Sequence, residues 1–530
     1  MRAAETSRDR LGRLDGGLDF DACYRAIEAR DARFDGRFYT GVTSTGVFCR
    51  PICPARTPSP KNVRFFRYAA VALAAGFRPC RRCRPEASPD SPDWDVRGDL
   101  IGRGLRLIAE GVVDAESVRG LASRLAVTER HLHRVFVAEL GVGPLALART
   151  RRVQLARRLL EETSMPVTDV AFASGFGSVR QFNASMLAAY GRPPRELRHP
   201  RRRPEAGDER AGAGVAELTM RLAYRPPLDV AAILGFLGTR AVPGVEEVAD
   251  GYYARTVRTA SGEGIVRLAL SGPAAREAAG APYVALTLVA DDTHGIARTV
   301  ARSRRLLDLD ADPQAVGEVL ARDPALAALV RRRPGIRLPG AFDGFELAVR
   351  AVLGQQVSVP AASTLAGRLV ARLGKPLTRP VGRLTHLFPA AADVAEADLS
   401  GLGFPGSRGR TLRALAQGVA AGDLVLDGSA DPAETVARLR ALPGVGPWTA
   451  AYIAMRALRD PDAFPDGDLA LLRALDRLGV PVSRSATWRP WRGYAAMHLW
   501  TWLYPPDPSE DPPDDPSEVS PAHSPTQEME

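Results

Sequence analysis

Twice along the chain an apolar helical pattern breaks at a tight turn and resumes in an amphipathic helix. The first copy is VRGLASRLAVTERHLHRVF, residues 118–136; the second is VTDVAFASGFGSVRQFNASM, residues 167–186. Leu121 pairs with Val170, Ala122 with Ala171 and Leu132 with Phe182, at an offset of 49 residues before the turn and 50 after it. Ser178 and Gln181 have capping-box spacing at the start of the second copy's last helix. ALARTRRVQLARRLLEET, residues 146–163, joins the copies. The pattern therefore predicts two helix-turn-helix units on one long connecting helix.

Further along, LTMRLAYRPPLDVAAILGFLGTRAVPGVEEVADGYYART (218–256) precedes a helix-rich half that contains LPGVGPWTAAYIAMRAL (442–458) and FPDGDLALLRAL (464–475). The glycines of LPGVGPWTA predict a hairpin between two helices. Backbone N–H groups of Gly444 to Gly446 can then approach a phosphate at the second helix's N-terminus. Asp431, Pro432 and Glu434 suit the start of the preceding helix. Asp468 stands where the next helix begins, a place aspartate favours as a cap whatever the function. No apolar run of about 18 residues predicts a membrane span.

Proline-rich, charged seams at 84–95 and 199–214 divide the chain. The expected fold class is multidomain α+β. It comprises a small four-cysteine domain (12–86), an all-α domain (98–198), a β-rich subdomain (215–290), a helix-hairpin-helix domain (300–504) and an acidic tail (505–530) expected to be disordered. Charge sharpens the picture. The chain carries +10 over 530 residues. The tail after Tyr504 holds eight Asp/Glu and no Lys/Arg, so the rest carries +18. That balance favours a polyanionic partner. The basicity is almost all arginine, with Lys61 and Lys375 the only lysines. Five cysteines and a polar start, MRAAETSRDR, predict a soluble cytoplasmic protein in a reducing compartment, without membrane association.

Four of those cysteines sit in GVFCRPICPARTP (46–58) and FRPCRRCRP (77–85): Cys49, Cys53, Cys80 and Cys83. C-x3-C followed after 26 residues by C-x2-C suits one tetrahedral Zn2+, each pair giving two thiolates from one turn. Arg50, Arg56, Arg78, Arg81, Arg82 and Arg84 crowd the cluster. They either offset the negative charge of a tetrathiolate staple or hold a phosphate against it. Cys23 lies outside the spacing and reads as a small buried side chain.

These residues also carry resemblances. FDGRFYTGVTSTGVFCRPICPARTP with NVRFF and AGFRPCRRCRP resembles the N-terminal domain of the Ada family of alkylation-response regulators. The resemblance implies that Cys49 is both a zinc ligand and the acceptor of methyl from an Sp methylphosphotriester in DNA. AFASGFGSVRQFNASMLAAYGRPPRELR resembles the AraC-type DNA-binding domain. It implies two reading helices, about 128–138 and 178–189, in neighbouring major grooves, with His131, His133, Arg134, Arg180, Gln181 and Asn183 facing bases or phosphates. Transcription activation through RNA polymerase follows from the same resemblance. Ada-type chains commonly continue into a methylguanine transferase with a cysteine nucleophile; no cysteine follows Cys83, so that activity is not expected.

Residues 215–504 instead resemble the AlkA-type 3-methyladenine DNA glycosylase II. By that resemblance Asp468, twenty residues after Trp448, is the catalytic aspartate. Phe236, Trp448, Tyr452 and Trp500 match the pocket for a cationic alkylated base, and Gly444 and Gly446 the hairpin that grips double-stranded DNA. Two departures stand out. Leu469 replaces a pocket tyrosine, and Gln356, in LGQQVS, replaces a leucine that fills the flipped base's gap. The absence of a lysine near Asp468 predicts base removal without strand cleavage. The competing expectation is a transcription regulator whose glycosylase-like domain only binds DNA.

Overall fold

The computed structural model describes residues 18–506 except 19, 31–33, 35–37, 54, 68, 81, 84, 86–99, 199–215, 250, 260–261, 272–281, 292 and 294. Arg81, Arg84, most of both seams and the tail from residue 507 lie outside the described residues.

The N-terminal part is a four-stranded sheet in the order β3-β1-β2-β4, with β1 Tyr39–Val42, β2 Val47–Cys49, β3 Val63–Phe66 and β4 Arg78–Pro79. β1 pairs antiparallel with β2 and β3, while β2 and β4 run parallel, with Val47 opposite Arg78 and Phe48 opposite Pro79. That parallel pair sets the C-terminal ends of both strands side by side, so Cys49 and Cys80 lie at the same end of the sheet. Gly41 is required by packing: a Cβ there would lie 2.6 Å from the Phe66 ring.

The helix-turn-helix units form as the pattern predicts. Helices Val112–Arg124 and Glu129–Leu140 make the first; Val167–Ala173 and Val179–Tyr190 make the second; Pro144–Glu162 joins them. The backbone leaves helical geometry at Ser117 (φ 68°), so the first unit starts in earnest at residue 118. The repeat pairs Leu121 with Val170 and Leu132 with Phe182, and all four are fully buried. Thr128 and Ser178 cap the second helix of each unit by accepting from the His131 and Gln181 N–H groups.

Five antiparallel strands follow, β5 Ala216–Ala223, β6 Glu246–Ala249, β7 Tyr252–Arg258, β8 Glu263–Ala269 and β9 Tyr283–Ala290, in the order β5-β9-β8-β7-β6. Helices from Ile296–Leu306 to Arg492–Leu503 complete the C-terminal part. Among the described residues no helix is long and apolar enough to cross a membrane.

The hydrophobic core is divided in a way the seams do not announce. One cluster joins Tyr39, Phe48, Phe66 and Phe77 of the cysteine-bearing sheet to Leu121, Leu132 and Phe136 of the first helix-turn-helix. A second joins Phe176, Phe182 and Met186 of the other unit to the five-stranded sheet and the helices beyond it. The connecting helix Pro144–Glu162 contributes to both. Polar bonds seal the contacts: Glu162 accepts from the Arg221 N–H at 2.8 Å, and Arg103 and Arg106 donate to the Ser429 and Gly428 carbonyls at 3.2 Å.

Candidate functional site

Two clusters of chemistry stand apart in the molecule. In the first, the sulfurs of Cys49, Cys53, Cys80 and Cys83 all lie within 4.8 Å of one another. A tetrahedral Zn2+ with Zn–S bonds near 2.3 Å needs sulfurs about 3.8 Å apart, so the donor set fits one zinc ion. The thiols also perturb one another. Hydrogen bonding to Cys53 and Cys80, with burial, pushes the Cys49 thiol up; hydrogen bonding to Cys49 pulls the Cys80 thiol down. Four sulfurs this close cannot all ionise without a cation between them. Cys49 and Cys83 are buried, Cys53 and Cys80 half-buried.

The arginines divide their work. Arg50 is buried; its backbone N–H donates to Cys83 Sγ and its guanidinium to the Cys83 carbonyl, both at 3.3 Å. It braces the cluster from inside. Arg56, Arg78 and Arg82 are exposed. Cys23 packs against Phe38 and Phe65, away from the cluster, as a small buried side chain.

The second cluster surrounds Asp468, the N-cap of helix Leu469–Arg477. Its Oδ1 accepts from the Ala470 and Leu471 N–H groups and from the Trp500 indole N–H, each at 3.0 Å. Its Oδ2 accepts from the Trp448 indole N–H at 2.9 Å. Four donors from three helices thus fix the carboxylate's orientation. Trp448 stacks on Tyr452 with centroids 5.5 Å apart and 15° between planes, and Tyr452 meets Trp500 at 6.4 Å. The structure brings these three rings and Asp468 together.

Phe236 joins them by a different route. The Arg240 guanidinium lies 3.9 Å from its ring centroid and that of Arg456 4.7 Å away. Arg456 also donates to the Tyr452 hydroxyl at 2.8 Å. Burial pushes the Tyr452 phenol up, but the charges of Arg456 and Arg240 outweigh it and hold the phenol below its ordinary value. The Phe236 ring therefore already carries resident cations. Neither arginine was singled out by sequence reasoning. The available signal was the four-residue spacing of Tyr452 and Arg456 on one helix face.

The hairpin has the expected form. Gly444 adopts φ 80°, and a Cβ there would lie 2.2 Å from Thr411 Oγ1. Gly446 caps helix Pro447–Arg456 and is open to solvent. Gln356 is exposed with φ 56°, and Leu469 is 70% exposed beside Asp468. On the second helices of the two helix-turn-helix units Arg180, Gln181, Asn183, His133 and Arg134 are exposed; His131 is half-buried and its Nδ1 lies 3.1 Å from Arg134.

Comparison with known proteins agrees with this layout. Residues 22–86 match the metal binding domain of Ada, residues 121–200 a helix-turn-helix domain, and residues 219–343 the AlkA N-terminal domain. DNA-3-methyladenine glycosylase 2 of Escherichia coli is 36% identical over 289 residues, 53% of this chain and 95% of that protein. The bifunctional transcriptional activator/DNA repair enzyme Ada of Escherichia coli is 34% identical over 182 residues, 34% of this chain and 50% of that protein. The "Probable bifunctional transcriptional activator/DNA repair enzyme AlkA" of Mycobacterium tuberculosis is 51% identical over 491 residues, 92% of this chain and 97% of that protein. With 51% identity over nearly the whole of both chains, the chain belongs to this family of bifunctional transcriptional activator/DNA repair proteins, and it carries in order an Ada-type metal binding domain, a helix-turn-helix domain and an AlkA-type domain.

Proposed function

We propose that the protein is a self-consuming methyl sensor and transcription activator fused to a monofunctional alkylbase glycosylase acting on double-stranded DNA. Residues 12–86 serve as methyl acceptor, 98–198 as promoter reader, and 215–290 with 300–504 as glycosylase. In the sensor, zinc supplies one thing when bound: it keeps the thiols deprotonated at neutral pH. The Cys49 sulfur then attacks the methyl carbon of an Sp methylphosphotriester. The C–O bond breaks, its electron pair stays on the phosphate as a restored diester anion, and Cys49 ends as a thioether. The cluster becomes one unit less negative, which strengthens binding to DNA by the two reading helices. Promoter-bound protein then contacts RNA polymerase, in the cytoplasm.

In the glycosylase, Gly444 and Gly446 grip the backbone while Gln356 enters the gap left by the displaced base. Asp468 stabilises the oxocarbenium-like sugar and orients water for attack on it, so that the N-glycosidic bond breaks and abasic DNA remains. A base made cationic by methylation gains about 0.5–2 kcal/mol from an electron-rich ring. Because Phe236 faces Arg240 and Arg456, and Tyr452 stacks on Trp448 with Arg456 5.6 Å from its ring, the rings left to the base are those of Trp448 and Trp500. Strand cleavage through a Schiff base needs an uncharged amine. Lys61 belongs to the zinc domain, and Lys375 stands more than ninety residues before Asp468, at the start of a two-stranded ribbon.

What carries this reading is the convergence of four N–H groups on Asp468 beside an exposed glycine hairpin. Two of those N–H groups would serve any helix cap, but the indole N–H groups of Trp448 and Trp500 fix the other face of the carboxylate, which a protein that merely bound DNA would not need. The test is incubation of the full chain with methylated DNA, followed by analysis of released bases, strand integrity and the mass of each cysteine peptide. The expected result is one methyl on Cys49 alone, free alkylated base, and strands that break only after alkali. Methyl found on another cysteine overturns the sensor, and a borohydride-trapped adduct with residues 215–504 overturns the monofunctional mechanism.

A further inference from the structure

Gln355, the neighbour of Gln356, had no role in the sequence reading. In the structure its carboxamide nitrogen donates to the Gly444 carbonyl at 2.9 Å and to Thr449 Oγ1 at 2.8 Å. Gly444 is the turning point of the hairpin, and Thr449 is a buried residue in the first turn of the hairpin's second helix. Both donor hydrogens of one side chain are thus spent on the backbone-gripping element. The Gln355 backbone carbonyl in turn accepts from Arg408 at 2.5 Å. Directly after it the chain turns through Gln356 in left-handed geometry and exposes Val357 and Val359, 36% and 38% accessible, as helix Val359–Leu373 begins. Among the described residues, the hydrogen bonds that tie this exposed apolar tip to the hairpin are those of Gln355.

We infer that Gln355 is a positioning residue that locks the tip 356–359 to the hairpin, so that displacing the lesion and gripping the backbone occur in one register. The inference rests on the glycosylase reading above and goes beyond it. Its physical content is the pair of donated bonds. A glutamate of the same shape offers no N–H, and it sets a negative oxygen against the Gly444 carbonyl. The hairpin and the tip remain folded but lose their connection.

The test uses the full chain with two DNA substrates: a duplex with one N7-methylguanine opposite cytosine, and the same lesion in a one-nucleotide bulge without a partner base. Extrusion from the bulge needs no pair to be displaced, so the tip has little to do there. For Gln355→Glu the maximal single-turnover rate on the paired lesion should fall roughly tenfold or more, the size of leaving a buried polar group unpaired, with the half-saturating DNA concentration within about twofold. On the bulged lesion the rate should stay within about twofold. Thr449→Val should show a smaller loss with the same substrate dependence, and Thr449→Ser, which keeps the hydroxyl, should restore the wild-type rate. This pair decides the matter if Gln355→Glu does not fold. Equal losses on both substrates, or none on the paired one, overturn the inference. Wild-type protein that frees no base from either substrate refutes the glycosylase reading itself, and the inference with it.

Discussion

Asp468 receives two kinds of hydrogen bond, and they make different demands on a substitute. Its backbone donors at Ala470 and Leu471 are those of any helix cap, whereas its indole donors come from helices that must be docked correctly. An asparagine in its place cannot accept on both sides. With the amide oxygen on the cap and the Trp500 indole, the amide NH2 points at the Trp448 N–H, donor against donor. Asp468→Asn should therefore lower base release by about 10^2–10^4 while DNA affinity stays within a few-fold, measured by single-turnover release and by filter binding. Trp448→Phe keeps most of the ring and removes one donor to a charged group, worth about 1.5–3 kcal/mol. Release should fall roughly 10–100-fold. An undiminished rate in Trp448→Phe would show that the indole bond orients nothing. The cap was legible in FPDGDLALLRAL, because capping is a local matter. The indole bonds were not, since Trp448 and Trp500 are 52 residues apart and their N–H directions depend on how two helices pack.

At the scale of single elements, the hairpin turns on Gly444. Any side chain there meets two obstacles, a positive φ and Thr411 Oγ1 at 2.2 Å. Gly444→Ala should cost about 1–3 kcal/mol in stability and weaken DNA binding, read by thermal unfolding and by affinity for undamaged duplex. Adding Thr411→Ala removes the clash but not the backbone strain, so it should restore part of the stability and not all. Full restoration would mean that φ costs nothing at this turn. The repeat in the helix-turn-helix part was legible for a related reason: Leu121, Val170, Leu132 and Phe182 occupy matching buried positions, and burial sets residue type. The arginines that tie this part to the rest were not. Arg103 and Arg106 meet carbonyls more than three hundred residues away, and an exposed arginine and a docked one look alike in sequence.

In the whole molecule, the two larger cores cut across the domain seams, so that the cysteine-bearing sheet and the helix that Asp468 caps rest on different cores. The four-stranded sheet ends at Cys49 and Cys80, and its aromatic face shares a core with the first helix-turn-helix. Removing zinc should loosen that sheet, and through Phe48, Phe66 and Phe77 the packing around Phe136 of the first reading helix. The second unit packs instead with the glycosylase, where Arg221 and Glu162 hold the junction. A strong chelator should therefore abolish specific promoter binding, which needs both reading helices, while base release stays within about twofold of the untreated rate. Heating should show two transitions, and only the lower one should move when zinc is withdrawn. Both measurements can fail independently of the chemistry at Cys49. If promoter binding and base release decline in parallel as zinc is removed, the connecting helix Pro144–Glu162 transmits the loss from one core to the other, and the division into two cooperative units does not hold.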